Sequence, residues 1–450
     1  MKFLAVVFCT ALSLIAQEQS IESVWSHIEL QNDSIQAENA DVKRAELKKS
    51  SAKSMYLPSI SITGSYTRLS EPVNIDVTDI SSKANALLAS LNAPGRLPNE
   101  LELSEKDVFL ADLHFLWPLY TGGKIDAAQK IYASALNEAK AKASMKKDVE
   151  FLKLVKYYYG VVVSKSLLLA RKEAQKALEL HYENAKKMKE QGQIANIELL
   201  NAEVKLDAAK IETTKATHKL EIAQDALDSL AKEHVEVVAK LFVSEDIRDE
   251  EYYKKETARA YAGLKILDAK EAQSKSLVEI KKAAWHPEVL AYGNYNLYKD
   301  ESALMQSAPT WFAGVMVKIN LLQRQDRSED IQAAELLSTK VTHLKLQALR
   351  DLKLLVEKTY KEMLADYEEF YALNSSIKLA NENYKLRSIA FREGLSTSVE
   401  LVDAEMFLMG AKTKRLNAAY NYVQKVAQLA VLSGNRELFF EIQRASEEIE

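Results

Sequence analysis

The sequence predicts a mainly α-helical chain with a minority of β-strand, built on very long helices of coiled-coil type. Three observations predict it. Turn residues are scarce: Gly is 12 and Pro is 7 in 450 residues, about 4% against an average near 12%, which excludes an all-β sandwich or a loop-rich disulfide scaffold. All seven prolines fall within 58–118 and 287–309, leaving 119–286 and 310–450 free of them. Proline costs about 3 kcal/mol inside a helix, so only the proline-free stretches can be long helices. Finally, residues recur at fixed offsets along the chain. A hydrophobic share of 47% beside 28% charged residues excludes a mostly disordered chain. With 60 Lys and Arg against 64 Asp and Glu, the net charge of −4 leaves no basic footprint for nucleic acid.

The elements follow in order. Lys2, the apolar run 3–16 and the polar Gln17-Glu18-Gln19-Ser20 read as a secretory signal peptide over 1–16, with Ala16 the last residue removed. Cys9, the one cysteine, lies inside that run, so the mature chain is expected to lack thiols and disulfides. No later run is apolar enough for a membrane-spanning helix. A helix is expected over 20–54. Next, Ile60, Ile62, Gly64 and Tyr66 alternate with Ser61, Thr63, Ser65 and Thr67, the period of a two-faced strand. A long loop, 69–107, carries a short helix over 84–91. A second strand follows, with Phe109, Ala111, Leu113, Phe115 and Trp117 on one face. From Ile125 the apolar residues fall at spacings of three and four, which predicts helices over 123–190 and 195–232. The pattern then repeats. A helix over 252–283 precedes two more strands: Val289, Ala291, Gly293, Tyr295 and Leu297 share one face of the first, Trp311, Ala313, Val315, Val317 and Ile319 one face of the second. Helices over 326–391 and 396–433 close the pattern. The longest helices are about 100 Å at 1.5 Å per residue, too long for a globular interior, and their seams are rich in Ala.

The recurrence is that of two copies. Pro58, Gly64 and Tyr66 return 229 residues later as Pro287, Gly293 and Tyr295. Gly192, Glu198, Leu199, Ala202 and Glu203 return 202 residues later as Gly394, Glu400, Leu401, Ala404 and Glu405. The offsets differ by 27, so the first hairpin loop is longer by that amount. The organisation predicted is a first structural repeat over 17–232 (β-hairpin 58–118, helix hairpin 123–232), a linker over 233–251, a second repeat over 252–433 (β-hairpin 287–320, helix hairpin 326–433) and a closing segment over 434–450.

Four strands with one apolar and one polar face cannot close a barrel alone. Known membrane barrels start at about 8 strands, so two or three chains would have to pool theirs. Trp117, Trp285 and Trp311 lie at strand ends, where aromatic residues mark membrane interfaces. The rival reading of these strands is a soluble sheet with one buried face. Tyr56-Leu57-Pro58 before the first strand, Trp117-Pro118-Leu119-Tyr120-Thr121-Gly122-Gly123-Lys124 at the exit of the second, and the two Gly-x5-Glu-Leu turns at Gly192 and Gly394 carry a closer match. On these the sequence resembles the outer-membrane efflux protein family, the TolC-like exit ducts of Gram-negative bacteria. The resemblance implies a homotrimer whose chains each give four strands to a 12-stranded transmembrane β-barrel in outer-membrane lipid, while their long helices form an α-barrel across the periplasm. It further implies a duct that receives drugs, metals or secreted proteins from an inner-membrane transporter of RND or ABC type through a periplasmic adaptor (membrane fusion) protein. The alternative from another class is a non-pore periplasmic coiled-coil or adaptor protein.

A tunnel of this kind must close at its periplasmic end, and the helix turns at 191–194 and 393–397 are the natural tips. Glu400 and Asp403, an i,i+3 pair on one helix face, match positions where the family carries two pore-lining aspartates. Three copies would ring a narrow opening with six carboxylates, favouring cations and raising some of their pKa values. A solvated helix face is the plainer reading of the same pair. Glu198 is the first-copy counterpart of Glu400, and Asn201 replaces the second acid. The family's latch pairs a tyrosine and an arginine here; this sequence has Phe391 and Ser396 instead, with Arg392 adjacent. Phe391 lacks a hydroxyl, and Ser396 is expected not to bridge to a carboxylate. The resemblance implies that these tips, with Gly192, Gly394 and Lys189, are the adaptor's docking surface. His114, Asp112 and Lys318 are candidates for wetted strand positions. The seven histidines show no metal-ligand spacing and Gly122-Gly123-Lys124 lacks the earlier glycine of a phosphate loop, so no cofactor, metal or enzymatic activity is expected.

Overall fold

A computed structural model of the chain describes residues 20–299, 301–321 and 327–448. The expected signal peptide over 1–16, with Cys9, lies outside the described residues. In chain order, α1 (Ile21–Gln31) and α2 (Asp33–Lys53) lead to β1 (Ser59–Arg68). Then come β2 (Val73–Asp76), α3 (Thr78–Ser90), β3 (Glu100–Ser104) and β4 (Asp107–Tyr120). Next are α4 (Lys124–Glu190), α5 (Asn196–Ala231), β5 (Phe242–Val243), α6 (Glu250–Ala260) and α7 (Ala262–Ala283). The second half continues with β6 (Glu288–Lys299), α8 (Ala303–Ser307), β7 (Trp311–Lys318), α9 (Arg327–Arg392), α10 (Ser398–Leu432), α11 (Glu437–Ala445) and β8 (Glu447–Glu448). Among the described residues no helix is long and apolar enough to cross a membrane.

Two helices expected as single rods are broken. Asn32 ends α1 and starts α2: its Oδ1 accepts from the backbone N–H of Ser34 (3.0 Å) and Ile35 (3.2 Å), the N-cap geometry that opens a new helix. The stretch expected over 252–283 starts at Glu250, where Asp249 caps it, and breaks at Tyr261, whose ψ of 127° is extended. The loop helix runs over Thr78–Ser90 rather than 84–91. At its start the Asp76 Oδ1 accepts from the Thr78 N–H at 2.8 Å, and a reciprocal pair of bonds joins Asn85 to Leu97. The long loop is therefore built, with β2 and β3 paired antiparallel.

The chain divides into two compact units that cut across the sequence repeats. One comprises Asn137–Ala269 with the segments up to Arg44 and from Thr342. Its core is aromatic. Phe151, Tyr158 and Tyr159 of α4 are fully buried with Phe242, Tyr422 and Phe439. Phe439 lies edge-on to Phe151 (5.6 Å) and to Phe242 (5.6 Å). Burial of each such ring stabilises by roughly 1.5–3 kcal/mol. β5 pairs with β8, so the closing segment and the linker make one small mixed region. Small residues let helices approach: Ala185, Ala202 and Ala380 are fully buried.

The other unit comprises Ala45–Leu136 and Lys270–Val341. Its main sheet has the order β1-β4-β6-β7, antiparallel throughout. The register aligns like faces across all four strands. Ile60 lies opposite Phe115, which lies opposite Gly293, which lies opposite Ala313; Leu113, Tyr295 and Trp311 continue the same face. On the other face Ser61, His114 and Asn294 are in line, as are Thr63, Asp112 and Asn296. One expectation changes: a bulge between Ala111 and Asp112 puts Tyr298, not Leu297, opposite Ala111. The single-period pattern could not show the extra residue.

Candidate functional site

Neither face of the main sheet is covered within the chain. Ile60 and Ile62 are 65% and 70% exposed, and Val315 and Val317 are 63% and 61% exposed. A continuous, uncovered apolar face on a soluble monomer is rare. Within the chain β1 and β7 are the edges of this sheet, each with one strand neighbour. The three tryptophans sit at its margin. The Trp117 indole N–H donates to the Tyr56 carbonyl at 2.8 Å. Trp285 lies in the turn before β6 with the Arg327 guanidinium 4.4 Å above its ring. Trp311 opens β7 and is 65% exposed.

The helix turns share their backbone. Gly192 and Gly394 adopt φ of 71° and 73°, the left-handed region that glycine enters without cost. The Gly192 N–H donates to the Lys189 carbonyl (2.9 Å) and the Gln193 N–H to the Met188 carbonyl (2.8 Å). Gly394 and Leu395 repeat this onto Phe391 (3.0 Å) and Ala390 (2.8 Å), so both helices end in the same Schellman motif. Lys189 and Arg392 are exposed beside their turns.

Beyond the glycines the second turn is more tightly wired. Thr397 caps α10 by accepting from the Glu400 N–H, and the Glu400 carboxylate accepts from the Thr397 N–H at 3.1 Å, a complete capping box. The Ser396 hydroxyl donates to Glu400 Oε2 at 2.6 Å, and Arg387 lies 3.3 Å from the same oxygen. Ser396 therefore does bond a carboxylate, contrary to expectation, because the turn brings it one helical step from Glu400. These bonds, the Ser396 hydroxyl foremost, hold the Glu400 carboxyl below its ordinary value. Within one chain this is the opposite of the rise expected from crowding three copies. Asp403 is exposed on the same helix. Phe391 is buried, edge-on to the His181 ring of α4 at 4.5 Å. Glu198 is half-buried, with Oε2 lacking a hydrogen-bond donor among the described residues.

Sequence reasoning missed three members of this region. Arg387 and the Thr397 cap were readable, the latter as a Thr-x-x-Glu box. Glu405 is buried on α10 between Val402 and Met409, and burial alone raises its carboxyl to about 7. Its apolar neighbours on α10 hinted at this, but the burial itself is completed by residues of α4 and α5 far along the chain.

Comparison with known proteins places this geometry. Among curated proteins none matches the chain. The fold is similar to solved outer-membrane channels. CmeC of Campylobacter jejuni is 14% identical over 100% of this chain and 98% of that one, with a TM-score of 0.74. VceC of Vibrio cholerae is 13% identical over 94% and 98%, with a TM-score of 0.73. The open state of MtrE of Neisseria gonorrhoeae is 14% identical over 92% and 89%, with a TM-score of 0.74. Residues 24–231 and 263–435 match the family model for the outer membrane efflux protein, and on that match the chain belongs to the outer membrane efflux protein family.

Proposed function

We propose that three copies of this chain form an exit duct through the outer membrane, with 12 strands closing one barrel and the long helices forming a tunnel in the periplasm. The observation that carries the reading is the main sheet: one apolar face runs unbroken across four strands, is uncovered, and ends on β1 and β7 with free edges. Open edges and exposed apolar faces are both resolved when sheets join into a barrel within lipid. Trp117, Trp285 and Trp311 would then lie at the membrane interface, and His114, Asp112 and Asn294 would face water. The duct would move small molecules or exported substrates without catalysis, on behalf of an inner-membrane transporter of RND or ABC type. The turns at Gly192 and Gly394 would dock the periplasmic adaptor; Ile197 and Leu395, 59% and 82% exposed, offer apolar contacts there beside Lys189 and Arg392. Glu400 and Asp403, with Glu198, Phe391 and Arg392 around the turns, would form the constriction.

The test is conductance. Purified full-length protein should migrate as a trimer in mild detergent and open single channels in planar bilayers. Recovery as soluble monomers without conductance would end the reading. Multivalent cations should block the channel, and replacing Glu400 and Asp403 together by alanine should weaken that block; unchanged block would remove both from the gate.

A further inference from the structure

Away from the turns and the sheet, a cavity of about 410 Å³ opens between α4, the stretch after α5, α9 and α10, a size within the range of small-molecule sites. Its walls are largely apolar, with Val162, Leu241, Phe370 and Leu416 among the contributors. Its charges are unbalanced: Lys240, Lys412 and Arg415 line it against a single acid, Glu173. None of the three cations forms an ion pair with a described residue. Arg415 is the most constrained. Its guanidinium lies 4.5 Å from the centre of the buried Phe370 ring, and its Nε–H is buried without a hydrogen-bond acceptor among the described residues. A buried N–H left without an acceptor is costly, and a planar guanidinium matches a carboxylate in shape and charge.

We propose that this cavity binds a free single-chain amphipathic anion of fatty-acid type. The carboxylate accepts from Arg415, with Lys412 and Lys240 adding positive field, and the alkyl chain lies along Leu241, Phe370 and Leu416. The apolar walls argue against a bare inorganic anion, and the excess of positive charge argues against an amine. The cavity itself does not rest on the duct reading; only its measurement in nanodiscs uses membrane insertion, and binding is read whether or not the chain conducts.

The full chain, reconstituted in nanodiscs of zwitterionic lipid, is titrated with a dansyl-labelled undecanoate, and empty nanodiscs supply the background. Dodecanoate should displace the probe, whereas dodecyltrimethylammonium and inorganic phosphate should be at least about tenfold weaker. Arg415→Gln should weaken binding by about tenfold or more, the scale of one charge-assisted bond, and Arg415→Lys should recover part of the loss. Glu173→Gln should tighten binding, since it removes the one negative charge among the lining residues. Equal displacement by the cationic analogue, by phosphate, or unchanged affinity in Arg415→Gln, overturns the proposal. If Arg415→Gln loses helical signal, the Lys240→Gln/Lys412→Gln pair decides: lowered affinity supports the site and unchanged affinity overturns it.

Discussion

The two helix turns have one backbone and two chemistries. Gly192 and Gly394 end their helices with the same φ and the same pair of hydrogen bonds. Past the glycine, 202 residues separate partners that no longer behave alike. Ala195 begins α5 with no side-chain cap, whereas Thr397 begins α10 with a complete capping box. Glu198 keeps a buried oxygen without a donor, whereas Glu400 gathers Ser396, Thr397 and Arg387. Glu203 is exposed, whereas Glu405 is buried. The left-handed position admits little but glycine and so stays the same; side-chain positions are free to diverge. On this comparison the second turn is the latched one and the first the looser one.

The strongest way to break that contrast is at the last turn of the long helices. Phe391 is buried against His181, while its counterpart Lys189 is exposed. Phe391→Ala should cost about 3–5 kcal/mol by emptying a buried site, whereas Lys189→Ala should change stability by less than about 0.5 kcal/mol. Thermal unfolding of the purified protein, followed by its helical circular dichroism, reads both. Similar melting shifts for the two would erase the distinction.

Next in size is Glu405. Burial raises its carboxyl from 4.5 to about 7, so the folded chain holds a proton there that the unfolded chain has released. The sign follows: this contribution is fully favourable below about pH 4.5 and is lost as pH rises through about 7. The gap is worth no more than about 3–4 kcal/mol at about 1.36 kcal/mol per pH unit. Unfolding midpoints at pH 5 and pH 8 should therefore converge in Glu405→Gln and stay apart in Glu203→Gln. Parallel behaviour of the two variants would show that burial does not hold the Glu405 proton.

These pairs also show what the sequence could and could not reveal. Strand alternation was legible because one face of each strand is uniformly apolar, and it carried through to the aligned register of Ile60, Phe115, Gly293 and Ala313. The Ala111 bulge was not legible, since an inserted residue leaves the composition of each face almost unchanged. The glycine turns were legible from spacing alone. The burial of Glu405 was not, because it depends on residues of α4 and α5, such as Leu178 and Ala209, that share its cavity from far along the chain. The loop helix was legible, but its start at Thr78 rather than 84 was not, nor were the bonds between Asn85 and Leu97 that join opposite arms of the loop.

A smaller effect tests the caps directly. Thr397→Ala should cost about 1 kcal/mol, the usual value of an N-cap hydroxyl, and Ala195→Thr should return a comparable or smaller gain by supplying α5 with the oxygen it lacks. Opposite shifts in melting temperature would support the view that the first turn is merely uncapped. A null result at Ala195 would mean that its neighbours already satisfy the first N–H groups of α5.

The smallest effect is local and concerns Glu400. Its carboxyl lies below the ordinary value because Ser396, Thr397 and Arg387 favour the ionised form. The favourable contribution is thus present at neutral pH and is lost as pH falls through the lowered value, the reverse of Glu405 five residues along the same helix. Acidification should loosen the start of α10 while favouring its buried middle. Amide hydrogen exchange, corrected for the intrinsic pH dependence, should show weaker protection at Val399–Leu401 in acid and no such change at Ile197–Leu199, where the capping bonds are absent. Since Glu400 and Glu405 respond in opposite senses, a uniform loss of protection along α10 would indicate that the helix loosens as one body, and the local latch would then have no separate existence.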